Sequence, residues 1–227
     1  MGFLDRALDL VFPPRCAGCG AVGSWICDSC LSSAPRIPDP VCPKCGHPQG
    51  APSLCVVCRS ITFDFNKARA VYHYEGAIRA AVHKFKYRNL TALAGPLSGL
   101  LLEYLPGMAV QPDAVTAVPL HRKRQQERGY NQSELLARRV AAGLTLPYLD
   151  GAVERSMFTR PQVGLGAEER HINVSAAFEP GRNRVTGSRV LLIDDVYTTG
   201  ATLSDCARAL KAAGAKSVFC LALARGN

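Results

Sequence analysis

The segment Val190-Leu-Leu-Ile-Asp-Asp-Val-Tyr-Thr-Thr-Gly-Ala-Thr202 decides the fold class of this 227-residue chain. Its first four residues are aliphatic, which predicts a strand that is buried on both faces of a parallel sheet. Two adjacent carboxylates, Asp194 and Asp195, follow where we expect this strand to leave the core. A loop rich in threonine and glycine comes next, and the apolar spacing after Thr202 predicts a helix. This order indicates an α/β fold.

The loop from Thr198 to Thr202 has the composition of a phosphate-binding turn. A helix N-terminus presents unpaired N–H groups, and Gly200 lets the backbone approach an anion closely. The hydroxyl groups of the threonines can add donors. The two acids would repel the same phosphate, but they can accept hydrogen bonds from vicinal hydroxyls. We therefore predict a ribose 5-phosphate site; the alternative is that the acids only end a strand and cap a helix.

Strands alternate with helices on both sides of this segment, from residue 61 to residue 227. The pattern predicts strands at 68–74, 114–118, 189–193 and 217–224, and helices at 75–87, 90–105, 132–143 and 202–213. Helices of this length between strands indicate βαβ crossovers and a parallel sheet. We expect a kink or a restart of the second helix at Pro96. Residues 61–227 are thus predicted to form one domain.

Residues 1–60 are predicted to form a separate metal-binding module. Eight of the ten cysteines occur there in four C-x-x-C pairs, and two such turns complete one tetrahedral zinc site. Pairing neighbours closes the shortest loops, so we expect two structural sites without an open coordination position. A thioredoxin-like redox motif and a crossed pairing are the alternatives. The predicted ligands are Cys16, Cys19, Cys27 and Cys30 in one site, and Cys42, Cys45, Cys55 and Cys58 in the other.

The chain is basic and carries no export or membrane signal. Lysine and arginine number 27 against 18 acids, a formal charge of +9, which predicts an anionic partner such as a phosphorylated metabolite or nucleic acid. Acidic residues interrupt the apolar N-terminal stretch, and no apolar run is long enough to span a bilayer. We therefore expect a cytoplasmic protein without membrane insertion.

Segment 190–202 resembles the PRPP-binding motif of type I phosphoribosyltransferases, where PRPP is 5-phosphoribosyl-1-pyrophosphate. Together with the four cysteine pairs and the basic segment Val118–Gln132, it resembles the competence protein F (ComF) family over nearly the whole chain. This resemblance implies a Rossmann-like phosphoribosyltransferase core behind a double zinc ribbon. It also implies that Asp194 and Asp195 contact the ribose hydroxyls. The residues implied for the 5-phosphate are Tyr197, Thr198, Thr199, Gly200, Ala201 and Thr202.

The basic segment corresponds by resemblance to the loop that meets pyrophosphate. Arg124 and Arg128 would share one face if the segment is helical, and guanidinium groups suit phosphate oxygens. The alternative is a solvated basic turn. By resemblance, the family's flexible catalytic loop falls near 155–166, which makes Arg160, Gln162 and Arg170 further candidates; the alternative is an ordinary surface loop.

The resemblance implies Mg²⁺-dependent transfer of phosphoribosyl from PRPP to an unidentified acceptor, linked to DNA uptake in natural competence. Two non-enzymatic alternatives stay open: a factor that handles single-stranded DNA, and a nucleotide-sensing adaptor that binds PRPP or another ribose 5-phosphate compound. The cluster of Lys84, Lys86 and Arg88 around Tyr87 suits single-stranded DNA, whereas we expect Phe85 in the core. Other competence proteins are the remaining partners that the family suggests.

Overall fold

The computed structural model describes residues 13–156, 177–183 and 185–226. Its strands are β1 (Lys67–His73), β2 (Ala114–Ala117), β3 (Val153–Arg155), β4 (Phe178–Pro180), β5 (Arg189–Tyr197) and β6 (Ser217–Arg225). Four of them form a parallel sheet in the order β1-β6-β5-β2, while β3 and β4 pair antiparallel in a separate sheet. The predicted α/β fold with a parallel sheet is confirmed.

Helices connect the parallel strands, as the spacing predicts. They are α1 (Asp28–Ser32), α2 (Val56–Ser60), α3 (Gly76–Tyr87), α4 (Ala94–Tyr104), α5 (Arg122–Arg128), α6 (Gln132–Leu144) and α7 (Ala201–Ala212), with 3₁₀ turns at Thr91–Leu93 and Leu105–Met108. Of the two outcomes predicted at Pro96, the restart is confirmed, because a 3₁₀ turn ends at Leu93 and α4 begins at Ala94. Pro96 lies in the first turn of α4, where its missing N–H group breaks no helical hydrogen bond. In the described ranges, none of these helices combines the length and the apolar character needed to cross a membrane.

The core lies on both faces of the sheet because β5 alternates its side chains between them. Leu191 and Ile193 belong to the apolar cluster that contains residues of α3, α4 and α6. Val190 and Leu192 belong to the cluster that contains residues of α7. All four are fully buried. Phe85, from α3, is also fully buried, which confirms its predicted place in the core.

Strand β5 is longer than the sequence predicts, so the two acids lie within it rather than beyond it. Its neighbour β2 ends at Ala117, opposite Ile193. The other neighbour, β6, continues to pair with β5, from Asp194 opposite Ala222 to Tyr197 opposite Arg225. Asp194 and Asp195 therefore lie beyond the end of β2, while their main chain is still paired with β6.

The cysteine-rich module contributes to both apolar clusters. Ala17 belongs to the first, and Cys42 belongs to the second. Main-chain bonds also join the module to the edge strand β1: Ile37 N donates to Val71 O at 3.0 Å and Ala68 N donates to Lys44 O at 2.8 Å. The module thus packs directly on the sheet, and a boundary at residue 60 stays a prediction.

Candidate functional site

Asp194 lies at the inner end of the acid pair and is held by α6. Its Oδ1 accepts hydrogen bonds from Ser133 Oγ at 2.8 Å and from the main-chain N–H group of Asp195 at 2.9 Å. Asn131 caps α6 by accepting from Ser133 N, so the serine hydroxyl is directed at Asp194 instead of capping the helix. Burial and the neighbouring Asp195 raise the pKa of Asp194 to about 7, although Lys86 and Ser133 oppose this shift.

Asp195 is paired with a lysine from α3. Lys86 Nζ lies 2.8 Å from Asp195 Oδ2, and Asp195 Oδ1 accepts from Val196 N at 2.7 Å. Only 2% of Asp195 is exposed. Burial opposes the charge on Lys86, but attraction to Asp195 raises its pKa above the usual value, so the ammonium stays protonated.

Sequence reasoning assigned Lys86 only to a surface basic–aromatic cluster and missed this contact. Helical spacing contained a signal for it, because Lys86 follows the buried Val82 by four residues and the buried Phe85 by one. A lysine at the edge of a buried helical face needs an anionic partner. The partner itself, 109 positions along the chain, depends on the tertiary fold.

The predicted phosphate loop has the local geometry of a helix N-terminus. Gly200 is the N-cap of α7 with φ of +84°, a left-handed conformation that favours glycine. Thr198 is exposed, while Thr199 and Thr202 are half-buried. Thr199 Oγ1 accepts from Ala201 N at 3.4 Å, so one hydroxyl already faces the first turn of the helix.

Tyr197 occupies a different environment from the rest of this loop. Its hydroxyl donates to the carbonyl of Cys45 at 2.9 Å, and Arg225 Nη1 donates to the same carbonyl at 3.0 Å. The ring is buried against the second cysteine cluster. The side chain of Tyr197 therefore attaches the loop to the zinc module instead of facing a ligand.

An open cleft of about 630 Å³ is lined by the predicted basic residues and by Lys86, the partner of Asp195. Arg124 and Arg128 line it from α5, which confirms the helical segment on which they share a face. Lys86 and Tyr87 line it from the end of α3. Tyr87 is 63% exposed, and the Arg128 guanidinium lies 5.2 Å from the centre of its ring. The cleft thus offers several cations, the carboxylate of Glu127 and an exposed aromatic ring, and Lys86 connects it to Asp195.

Arg160, Gln162 and Arg170 lie outside the described residues. Arg155, which precedes them on β3, is half-buried, and burial together with the nearby Arg124 lowers its pKa. Nothing in the sequence pattern separates Arg155 from the rest of its loop.

The cysteines form two compact clusters in the predicted neighbour-to-neighbour pairing. In each set of four, the sulfur atoms all lie within 4.8 Å of one another. Burial opposes ionisation of Cys16 and Cys42, yet main-chain N–H donors outweigh it and lower the pKa of both to about 6. Cys27 N and Cys55 N supply such bonds at 3.3 and 3.4 Å. Four sulfur atoms gathered this closely fit a tetrahedral structural zinc site in each cluster. Cys206 and Cys220 are fully buried core residues, as predicted.

Family models match both parts of the chain. A double zinc ribbon domain matches residues 7–62, and a phosphoribosyl transferase domain matches residues 131–227. The core is therefore phosphoribosyltransferase-like, and the two cysteine clusters are zinc-ribbon sites. Among solved structures, glutamine PRPP amidotransferase from Bacillus subtilis has 24% identity and a TM-score of 0.40 over 58% of this chain and 26% of its own.

Curated relatives match most of the chain. Competence protein F of Haemophilus influenzae is 31% identical over 88% of this chain and 90% of its own length. DNA utilization protein YhgH of Escherichia coli is 33% identical, with coverages of 88% and 92%. Competence protein ComFC of Bacillus subtilis is 30% identical, with coverages of 88% and 84%.

Proposed function

This chain belongs to the competence protein F (ComF) family, and we propose that it binds PRPP with Mg²⁺ and transfers the phosphoribosyl group to an acceptor. The observation that carries the proposal is a combination of three features: an acid pair on β5, a glycine-capped helix N-terminus that follows this strand, and an arginine-lined cleft that Lys86 connects to Asp195. A sugar with a phosphate at one end, a diol in the middle and a diphosphate at the other end complements that order.

Each part of the site has a role in this proposal. The N-terminus of α7, with Thr198, Thr199 and Thr202, binds the 5-phosphate through N–H and hydroxyl donors. Asp194 and Asp195 accept hydrogen bonds from the ribose hydroxyls. Their position past the end of β2 agrees with ligand binding at the carboxyl ends of parallel strands.

Arg124 and Arg128 bind the pyrophosphate group across the cleft. An acceptor nitrogen forms a bond to C1 of the sugar while the C1–O bond breaks, and the electron pair of that bond leaves with pyrophosphate. The acceptor then loses a proton. Fixed cations beside the leaving group stabilise its developing charge, so the protein contributes positioning and electrostatics rather than a nucleophile.

Magnesium fits this site as an ion that arrives with the ligand. Three of the four carboxylate oxygens in the acid pair already have partners, because Asp194 Oδ1 and Asp195 Oδ1 accept N–H or O–H donors and Asp195 Oδ2 faces Lys86. Mg²⁺ usually keeps waters and binds phosphate oxygens together with few protein ligands. When bound, it would neutralise charge on the diphosphate.

Calorimetry with ribose 5-phosphate tests the core of the proposal. We expect binding to the wild type and at least about a tenfold loss in Asp195→Asn, because a charged acceptor is lost. Asp113→Asn, at an exposed ion pair with Arg189, is the matched control and should bind normally. Equal affinity in both variants would remove the diol role. Pyrophosphate release from PRPP with a panel of bases then tests transfer.

A specific observation favours a second function, the handling of single-stranded DNA. Tyr87 stands exposed between basic side chains, and an aromatic ring among cations can stack a base while phosphates pair with the charges. The names of the YhgH relatives point to DNA utilization. Oligonucleotide titrations over a salt series should show affinity that falls steeply with salt and weakens in Tyr87→Ala. Unchanged binding in that variant would exclude the cleft as the DNA site.

A further inference from the structure

The Lys86–Asp195 pair blocks the position that the proposed function gives to the ribose diol. Asp195 is almost fully buried, and its Oδ1 already accepts from Val196 N. Oδ2 is the oxygen left for a sugar hydroxyl, and Lys86 Nζ lies 2.8 Å from it. Oδ2 has almost no exposed surface of its own, so a diol can reach it when the neighbouring ammonium group moves.

Lys86 has an alternative position within reach. It lines the cleft together with Arg124 and Arg128, and 18% of its side chain is exposed there. A lysine carries a compact charge on a flexible four-carbon stem, so the ammonium can move while the helix stays in place. An ammonium that leaves a buried carboxylate needs another anion, because an unpaired charge in a half-buried site is costly.

We propose that Lys86 changes partner when the ligand binds: it releases Asp195 to the ribose diol and pairs with the pyrophosphate group of the same ligand. This inference rests on the proposed function and extends it to ligand selection. PRPP supplies both the diol that displaces Lys86 and the diphosphate that receives it. Ribose 5-phosphate supplies only the diol, and pyrophosphate supplies only the diphosphate. Each of them must therefore break the Lys86–Asp195 ion pair while providing a new partner for only one of its two members.

Inorganic pyrophosphate is the probe that isolates this exchange. In the wild type it competes with Asp195 for Lys86. Asp195→Asn removes that competitor with an isosteric side chain, and we expect pyrophosphate to bind about tenfold more tightly in the presence of Mg²⁺. Lys86→Met should weaken it by about tenfold, whereas Lys84→Met, on the same helix but outside the cleft lining, should leave it unchanged.

The double variant Lys86→Met/Asp195→Asn tests whether the higher pyrophosphate affinity expected of Asp195→Asn depends on Lys86. We expect it to bind pyrophosphate weakly, without the gain seen in Asp195→Asn, because the freed ammonium is missing. It also removes both charges of a buried pair, which is usually tolerated, so the comparison with Asp195→Asn holds even if Lys86→Met alone does not fold.

Two results would overturn the inference. One is an unchanged pyrophosphate affinity in Asp195→Asn, and the other is a double variant that binds pyrophosphate as tightly as the wild type or more tightly, which would show that the two opposite charges act additively and not through the release of Lys86. The proposed function is tested separately, with PRPP and Mg²⁺: if the wild type does not bind PRPP, the proposed function fails whatever pyrophosphate does.

Discussion

Asp194 and Asp195 are neighbours in the sequence, yet the fold provides them with different partners. Asp194 accepts from a serine hydroxyl of α6, and Asp195 faces an ammonium group of α3. The pair could be identified from the sequence because two adjacent carboxylates at the end of an apolar strand exceed what capping requires. Ser133 and Lys86 could not be predicted as their partners, since both contacts join positions that only the parallel sheet and its helices bring together.

The raised pKa of Asp194 predicts how stability depends on pH. The folded protein binds a proton there up to about pH 7, whereas an aspartate in the unfolded chain releases it near pH 3.8, so this group makes stability fall as pH rises across that window. Asp194→Asn keeps an oxygen for Ser133 and abolishes the titration. Between pH 6 and pH 8 we expect the wild type to lose about 1 kcal/mol relative to this variant.

Denaturant unfolding at the two pH values measures this difference. Asp113→Asn is the control: the Arg189 side chain lowers the pKa of Asp113 to about 2, so Asp113 stays ionised throughout that range and its removal should cost the same at both pH values. If the free energies of unfolding of the wild type and Asp194→Asn differ by the same amount at pH 6 and pH 8, Asp194 is already ionised at pH 6, and Lys86 outweighs its burial.

Among the elements, periodicity predicted the strands and helices better than it predicted their ends. The strands at β1, β2, β5 and β6 and the long helices between them follow from apolar runs and 3.6-residue spacing. The end of β5 did not follow, because pairing with β6 decides it. The direction of a loop side chain such as Tyr197 depends on which surface packs behind the loop.

The turn into α7 carries a prediction about phosphate binding. Gly200 has φ of +84°, so Gly200→Ala introduces strain of about 1 kcal/mol and should also shift the N–H groups that face the anion. Gly187→Ala is matched, with φ of +75° and no heavy atom within 4 Å of the added Cβ. We expect both variants to lose similar stability in thermal unfolding, but only Gly200→Ala to lose ribose 5-phosphate affinity in calorimetry. Similar affinity in both would place the phosphate elsewhere.

In the whole molecule, the second zinc-ribbon cluster is joined to the base of the phosphate loop. Tyr197 and Arg225 both donate to the carbonyl of Cys45. The segment after α2 extends this connection, because Asp64 N donates to Ser204 Oγ of α7 at 2.9 Å. The loop and the helix that follows it are therefore both held from the side of this cluster.

The first zinc-ribbon cluster lies next to α3 instead. Gly18 stands between two of its cysteines, and a Cβ added there would meet the Cβ of Ala77, in the first turn of α3, at 3.0 Å. The two clusters thus support different elements around the site.

This asymmetry predicts that losing one metal site affects ligand binding more than losing the other. Cys42→Ser/Cys45→Ser should remove one zinc ion, loosen the carbonyl that holds Tyr197 and weaken ribose 5-phosphate binding by about tenfold, a usual size for coupling between sites. Cys16→Ser/Cys19→Ser should remove one zinc ion with a smaller loss of affinity. Zinc content by elemental analysis and affinity by calorimetry are measured on the same samples.

Tyr197→Phe separates the coupling from the metal, because it keeps both zinc ions and lacks only the hydroxyl that donates to Cys45. We expect Tyr197→Phe to bind ribose 5-phosphate more weakly than the wild type, but less weakly than Cys42→Ser/Cys45→Ser does. Its zinc content should equal that of the wild type. Affinity losses of equal size in the two cysteine variants, with none in Tyr197→Phe, would mean that the clusters support folding in general and that the bond to Cys45 does not position the loop.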